Sequence, residues 1–490
     1  MRGSGILLHL SSLPSPYGIG TMGKAAYQFV DFLCQCGQRY WQILPVGPIS
    51  YGDSPYQSFS TFAGNPYFID FDFLAEDGLL KPDEYVPLPW GNNPAYVNYE
   101  QIYQSRFIPL KKAAARGLAR GESEFKCFRE ENSAWAEDYG LYMAVKNFFG
   151  MASWQEWEEG IRLRTPQAMA HCREMLKNEI DFWIYLQFLF WKQWRALKTY
   201  ANEKGISIIG DIPIYVAEDS ADVWANPNLF LLDETRRPVM VAGCPPDGFS
   251  ADGQLWGNPL YHWDVMEQDG FAWWVSRIRW AVNTYDLVRI DHFRGFDSYY
   301  AIPYGAKDAR NGSWKKGPGM KLFEQAKLGM GELPIIAEDL GFLTDSVRQL
   351  LKDSGYPGMK VLQFAFDADS HNEYLPHQYT PHCVAYTGTH DNDTCLGWME
   401  SAPEHAQNFC KEYLNLTAED SLPWEMIRAV WASVAETAIA PLQEFLELGN
   451  SSRMNRPSTV GGNWQWRVLP EQLDDSLAQK IMQITRLYGR

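Results

Sequence analysis

The sequence predicts an α/β fold, a (β/α)8 (TIM) barrel with large insertions in its βα loops. Three observations predict it. Short apolar runs bounded by Gly, Pro, Ser or Asp recur along the chain, mostly separated by helix-like patterns, which is how a buried parallel sheet reads. Three carboxylates, Asp291, Glu338 and Asp391, fall at the C-terminal ends of three of these runs, and in a barrel such ends converge on one mouth. The 490 residues suffice for one large domain, 1–490, with insertions.

Residues 6–10 read as the first strand. The Ser, Pro and Gly loop 11–20 leads to Thr21, placed to cap a helix over 22–36 that Gly37 closes. Residues 40–45 are the second strand, so the first unit is βαβ. The loop 48–66 is rich in hydroxyls and aromatics and belongs to the C-terminal face, with Tyr51, Asp53, Tyr56 and Gln57 as candidate ligand contacts. Over 67–200 the strand pattern stops, and helices over 99–115, 122–132, 135–149, 165–178 and 179–200 predict a mainly helical insertion. Residues 206–211 are the third strand, ending in Asp211 on the binding face. Residues 216–265 show little regular pattern and read as a long active-site loop insertion.

The helix 270–285 leads to the fourth strand, where Leu287, Val288 and Ile290 are apolar. Alternation puts Arg289 and Asp291 on one face, with the guanidinium expected to keep the carboxylate ionised and aimed. Residues 301–320 read as a Gly- and Lys-rich loop. Strands five, six and seven are expected at 333–338, 359–366 and 382–388, with helices over 424–438, 442–448 and 474–488. The eighth strand is indistinct, expected somewhere in 449–462. Too little chain follows for a separate C-terminal β-sandwich domain.

Composition narrows function. Lys plus Arg is 43 and Asp plus Glu is 60, a net charge of −17, which argues against a nucleic-acid or polyanionic partner. The load of 20 Trp, 26 Tyr and 26 Phe suits a cleft that stacks on flat faces such as those of sugar rings. The 8 Cys are scattered, which reads as thiols in a reducing compartment. No signal peptide and no membrane-length apolar run is apparent, so a cytoplasmic location and no membrane partner are expected. Oligomeric state is not legible.

The chemistry begins with the three carboxylates and their neighbours Arg289, Asp339 and His390. His292 and His390 lie beside carboxylates without a zinc-binding spacing, and Asp247 and Asp252 lack the order of an EF-hand, so neither metal nor cofactor is expected. The two His read as donors to sugar hydroxyls. Retaining glycosyl transfer needs an ionised nucleophile and a carboxylic acid about 5 Å away. Crowding by like charges is expected to raise Glu338 to serve as that acid. Asp391 is placed to grip ring hydroxyls as the sugar distorts.

Seven motifs, in order, carry a specific resemblance. They are Ser11-Ser-Leu-Pro-Ser-Pro-Tyr-Gly-Ile-Gly, Tyr51-Gly-Asp-Ser-Pro-Tyr-Gln-Ser, Gly210-Asp-Ile-Pro-Ile-Tyr, Arg289-Ile-Asp-His-Phe-Arg-Gly, Ala337-Glu-Asp-Leu-Gly, Thr387-Gly-Thr-His-Asp-Asn-Asp-Thr and Gly462-Asn-Trp-Gln-Trp-Arg. From Gly5 to Arg467 the sequence resembles the 4-alpha-glucanotransferases, the amylomaltase or disproportionating-enzyme family within the alpha-amylase superfamily. The resemblance implies Asp291 as nucleophile, Glu338 as acid/base and Asp391 as transition-state stabiliser. It also implies substrate contacts at Arg289, His292, His390, Tyr56, Gln254, Trp256, Asp247, Asp393 and Asn463. Its partners are alpha-1,4-glucans: maltodextrins, starch, and glucose as acceptor. The family is not generally calcium-dependent. Ser458 departs from the more usual Gly. An alpha-1,4-glucan hydrolase using the same carboxylates is the alternative. A silent carbohydrate-binding protein is a third reading, opposed by the intact carboxylate set.

Overall fold

The computed structural model describes residues 2–50, 52–246, 251–341, 343–367 and 370–490. Among the described residues twelve strands follow one another: β1 Gly3–Leu7, β2 Tyr40–Gln42, β3 Ser207–Pro213, β4 Met240–Cys244, β5 Gln254–Pro259, β6 Leu287–Asp291, β7 Ser298–Pro303, β8 Ser313–Lys316, β9 Ile335–Ala337, β10 Gly358–Val361, β11 Cys383–Tyr386 and β12 Thr437–Pro441. Eight of them form one parallel sheet in the order β10-β11-β12-β1-β2-β3-β6-β9. Its two ends meet where the Ala337 N–H donates to the Pro357 carbonyl at 2.9 Å, so the sheet curls into a nearly closed barrel. The Tyr386 hydroxyl donates to Gln42 Oε1 at 2.9 Å. Two strands separate β11 from β2 in the sheet, so this bond crosses the barrel interior.

The eighth barrel strand is β12, not a segment of 449–462. The helix expected over 424–438 stops earlier, at Leu422–Ala432, and β12 follows after a short turn. Thr-Ala-Ile-Ala is rich in alanine, the best helix former, so local propensity hid the strand. Tertiary context decides it: Ala438, Ile439 and Ala440 are fully buried between β1 and β11. The segment 449–462, where the strand is expected, holds a short turn, Asn450–Ser452, within a loop.

Two stretches read as loops are partly sheet. β4 and β5 lie within 216–265, while β7 runs three residues into 301–320 and β8 lies within it. They pair antiparallel in the order β5-β4-β7-β8. β8 is exposed throughout and carries Lys315 and Lys316 at the sheet edge, a charged edge that resists pairing with another chain. Their signal was weak because Gly243, Gly257 and the exposed polar positions break the alternation.

Between β2 and β3 the chain is mainly helical, and the break expected at 178/179 comes at Leu176: the helix Pro166–Met175 ends before it, and Lys177–Glu203 after it is one helix of 27 residues. Two of its buried residues act on the loop after β2. Gln187 pairs with both backbone groups of Gly64, at 2.7 and 2.9 Å, and Gln193 does the same for Asp70, at 2.7 and 3.1 Å. Buried backbone groups that would otherwise lack partners are thereby satisfied, and a site loop is tied to a rigid helix.

Candidate active site

The site is built by strand register. In β3 and β6, Asp211 lies opposite Arg289, and neighbouring residues in a parallel sheet share a face. Arg289 therefore meets Asp211 Oδ2 at 2.6 Å and, two residues further along the same face, Asp291 Oδ1 at 3.0 Å. One guanidinium bridges two carboxylates, with Arg289 and Asp211 both buried. The Tyr56 hydroxyl donates to the same Asp211 oxygen at 2.8 Å. Burial and the Asp291 charge push Asp211 above the ordinary carboxylate value, against the pull of Arg289 and Tyr56.

The next pairing extends the same logic. Ile290 lies opposite Ala337, so Asp291 and Glu338 follow as lateral neighbours at the C-terminal ends of β6 and β9. His292 then turns the chain with φ of 52°, a left-handed conformation uncommon outside glycine. That turn aims the His292 N–H at Glu338 Oε2, 2.6 Å away, while the Leu340 N–H donates to Oε1 at 2.8 Å. Burial, and then the Asp291 charge, push the Glu338 carboxyl up to about 7, with Arg289 and the two N–H groups opposing. Desolvation holds the His292 ring well below the ordinary imidazole value, with Arg294 adding to the effect.

The loop after β11 supplies the third carboxylate. Asn392 folds it by accepting from the Thr389 N–H and hydroxyl, each at 2.9 Å. Asp391 Oδ1 accepts from Asn455 Nδ2 at 2.7 Å, and Oδ2 lies 3.4 Å from His390 Nε2. The buried His390 ring stacks on Tyr56, centroids 5.1 Å apart and 15° from parallel, and Trp464 approaches both rings at 5.9 Å. Three separate loops thus share one aromatic wall.

Trp256 stands edge-on to His292 at 4.8 Å and donates its indole N–H to Gln254 Oε1 at 3.0 Å. Both come from β5, so the antiparallel sheet carries them to the barrel mouth. Asp393 is ion-paired with Arg453, and its backbone carbonyl accepts from Gln363 at 2.8 Å. The side chain of Asn463 is occupied within its own loop, accepting from the Arg456 N–H at 3.0 Å and donating to Thr459 Oγ1 at 3.0 Å. Asp247 and Tyr51 lie outside the described residues. Among the described residues no group of three His, Cys, Asp or Glu side chains is arranged to hold a metal ion, and no helix is long and apolar enough to cross a membrane.

Four residues at this site were not singled out as contacts by the sequence. Asp211 was legible only as a strand-end carboxylate. Arg453 and Asn455 sat in the segment read as the eighth strand. Trp464 lies in the motif Gly462-Asn-Trp-Gln-Trp-Arg, whose Asn463 is the expected contact. A tryptophan between two such polar motif residues was the available signal.

The 4-alpha-glucanotransferase family model matches residues 8–472. A 4-alpha-glucanotransferase of Clostridium butyricum is 51% identical over 485 residues, covering 99% of this chain and 100% of the relative. The structure of an amylomaltase from Streptococcus agalactiae in complex with acarbose matches with a TM-score of 0.98 at 43% identity, covering 100% of both chains. The amylomaltase of Corynebacterium glutamicum shares the fold, with a TM-score of 0.80 at 18% identity over 99% of this chain and 75% of that one. With the barrel, the paired carboxylates and these matches in hand, the chain belongs to the 4-alpha-glucanotransferase family and is an enzyme of that class.

Proposed function

We propose that this enzyme moves an alpha-1,4-linked glucan segment from a donor maltodextrin to the 4-hydroxyl of a glucan or glucose acceptor, with retention, through a glucosyl ester on Asp291. The observation that carries this reading is the register of β6 and β9, in which Ile290 pairs with Ala337, so that Asp291 and Glu338 follow side by side. In the first step the Glu338 carboxyl gives its proton to the glycosidic oxygen. An Asp291 oxygen bonds to the anomeric carbon as the C–O bond to the leaving sugar breaks. In the second step Glu338 takes the proton of the acceptor hydroxyl. That oxygen bonds to the anomeric carbon, and Asp291 leaves as a carboxylate.

The division of roles rests on environment. Asp291 Oδ1 lies 3.0 Å from the Arg289 guanidinium, which aims that carboxylate as nucleophile and as leaving group. Glu338, raised to about 7, keeps its proton near neutral pH. Asp391 is the group to grip ring hydroxyls at the oxocarbenium-like transition state, with Tyr56 and His390 as a flat wall beside it. Acarbose in the Streptococcus agalactiae relative supports an alpha-glucan ligand here. Trp256 and Gln254, over the site, are placed to hold an acceptor and exclude water.

Incubation with maltotriose tests this. Glucose and a ladder of longer maltodextrins are expected, with little net gain of reducing ends. Reducing ends appearing as fast as products would make the enzyme a hydrolase. A beta-configured first product would remove the covalent intermediate.

A further inference from the structure

Asp391 is the most weakly anchored of the three carboxylates by its own strand. Asp291 ends β6 and Glu338 directly follows β9, but Asp391 stands five residues beyond the end of β11, in a loop. It is held from outside. The Asn455 backbone N–H donates to the His390 carbonyl at 3.1 Å, and the Asn455 side chain donates to Asp391 Oδ1 at 2.7 Å. Arg453 grips the other side of the same loop. Its guanidinium donates to the Asp391 carbonyl at 2.5 Å, pairs with the Asp393 carboxylate, and donates through Nε to the Asn455 carbonyl at 2.7 Å. The clamp comes from the segment after β12, and the Met454 carbonyl ties it to Trp464 in the aromatic wall.

We propose that Asn455, braced by Arg453, is a positioning residue that fixes the orientation of the Asp391 carboxylate toward the reacting sugar. It acts through Asp391 and need not touch substrate. The proposal rests on the glucan-transfer reading given above. The geometry makes the case. Oδ1 takes the amide donor of Asn455, so Oδ2 is the oxygen left to a ligand, with His390 Nε2 beside it at 3.4 Å. A carboxylate on a loop has two torsions to lose, and a fixed one gives its full interaction only if aligned before the transition state. Among the described residues, the charged or titratable groups around Asp391 are His390 and Tyr56 on one side, both of which also feel the Arg289 and Asp291 charges, and Arg453 with Asp393 on the other.

Two variants test it, Asn455→Ala and Asn455→Asp, with native enzyme alongside on maltotriose. Misplacement of one catalytic group costs up to about a hundredfold in rate. Asn455→Ala should therefore lower kcat by about tenfold to a hundredfold, with KM within about twofold. Asn455→Asp puts a second carboxylate against Oδ1. At pH 8 the two repel and the loss should exceed that of the alanine variant. Toward pH 5 the pair binds one proton, a hydrogen bond re-forms, and the ratio of variant to native activity should rise. A purely structural role predicts instead a lowered unfolding midpoint and an activity ratio flat with pH. That result, or a native-like kcat in Asn455→Ala, overturns the proposal. A native enzyme that builds no ladder overturns the transfer reading and this proposal together.

Discussion

Opposing surroundings act on the Glu338 carboxyl. Burial and the Asp291 charge raise it, and Arg289 with two backbone N–H donors limits the rise. An acid poised near 7 sets the alkaline limb of the pH profile. Below that value the donor step has its proton, and above it the proton is lost, so kcat/KM for maltotriose should fall as pH rises through about 7. With an alpha-glucosyl fluoride donor, whose leaving group needs no proton, the limb should flatten. Glu338→Gln should then show the split directly. The first step with the fluoride survives in part, the second lacks its base, and a glucosyl adduct accumulates on Asp291, visible in the mass of the intact protein. Near-normal turnover of that variant on maltotriose would remove Glu338 from the role. An adduct on another residue would remove Asp291.

At the scale of elements, β5 and the short helix after β12 each make a separable prediction. Trp256 reaches the mouth only because β5 pairs with β4 and through it with β7. Its ring is half-buried against His292 and Tyr215, which leaves a face for a sugar. A stacking contact of this kind is worth roughly 1–3 kcal/mol. Trp256→Ala should weaken acceptor saturation while sparing adduct formation from the fluoride donor, measured as transfer rate against acceptor concentration. Glu444, in the helix Leu442–Phe445, is 1% exposed and accepts the Cys395 N–H at 3.1 and 3.0 Å, anchoring the helix that follows the Asp391 loop. Burial pushes its carboxyl from an ordinary 4.5 up to about 7. The folded state therefore binds more protons than the unfolded chain between those values, and its stability falls as pH rises across that window, by about 3 kcal/mol. Glu444→Gln keeps an acceptor and removes the ionisation. It should unfold up to about 3 °C higher than native at pH 8 and at the native temperature at pH 5. A gain equal at both values would rule out ionisation as the cause.

The whole molecule is closed by side chains as well as by sheet. Arg490 is buried, and its guanidinium donates to the carbonyls of Val430, Trp431, Ser433, Ala435 and Gly3 at 2.8–3.2 Å. Arg2 donates to two of the same carbonyls. These carbonyls belong to the end of the helix Leu422–Ala432, to the turn between it and β12, and to the start of β1, so one residue fastens the barrel where its first and eighth strands pair. Arg490→Met keeps the apolar stem but leaves buried carbonyls without donors. It should cost about 2–4 kcal/mol in urea unfolding, with catalysis per folded molecule unchanged. An unaltered unfolding midpoint would mean that water or Arg2 replaces the guanidinium.

The sequence by itself determined the repeating βα order, seven of the eight barrel strands and two carboxylates, Asp291 and Glu338, at strand ends, whereas Asp391 lies in the loop beyond β11. Those features are local: an apolar run, a periodicity and a residue at a boundary are visible within a few positions. The pairing of Asp291 with Glu338 was implicit in the same reading, because lateral neighbours follow once strand order is known. Tertiary structure alone decided the rest. β12 is a strand because it is enclosed by β1 and β11, against its own alanine-rich helical preference. The sheet formed by β4, β5, β7 and β8 exists because segments some 60 residues apart pair. Asp211 shares the Arg289 guanidinium through register between strands 78 residues apart. Asn455 meets Asp391 across 64 positions. Contacts at such separations leave no periodicity in either partner, since each is specified by the other only when the barrel has closed.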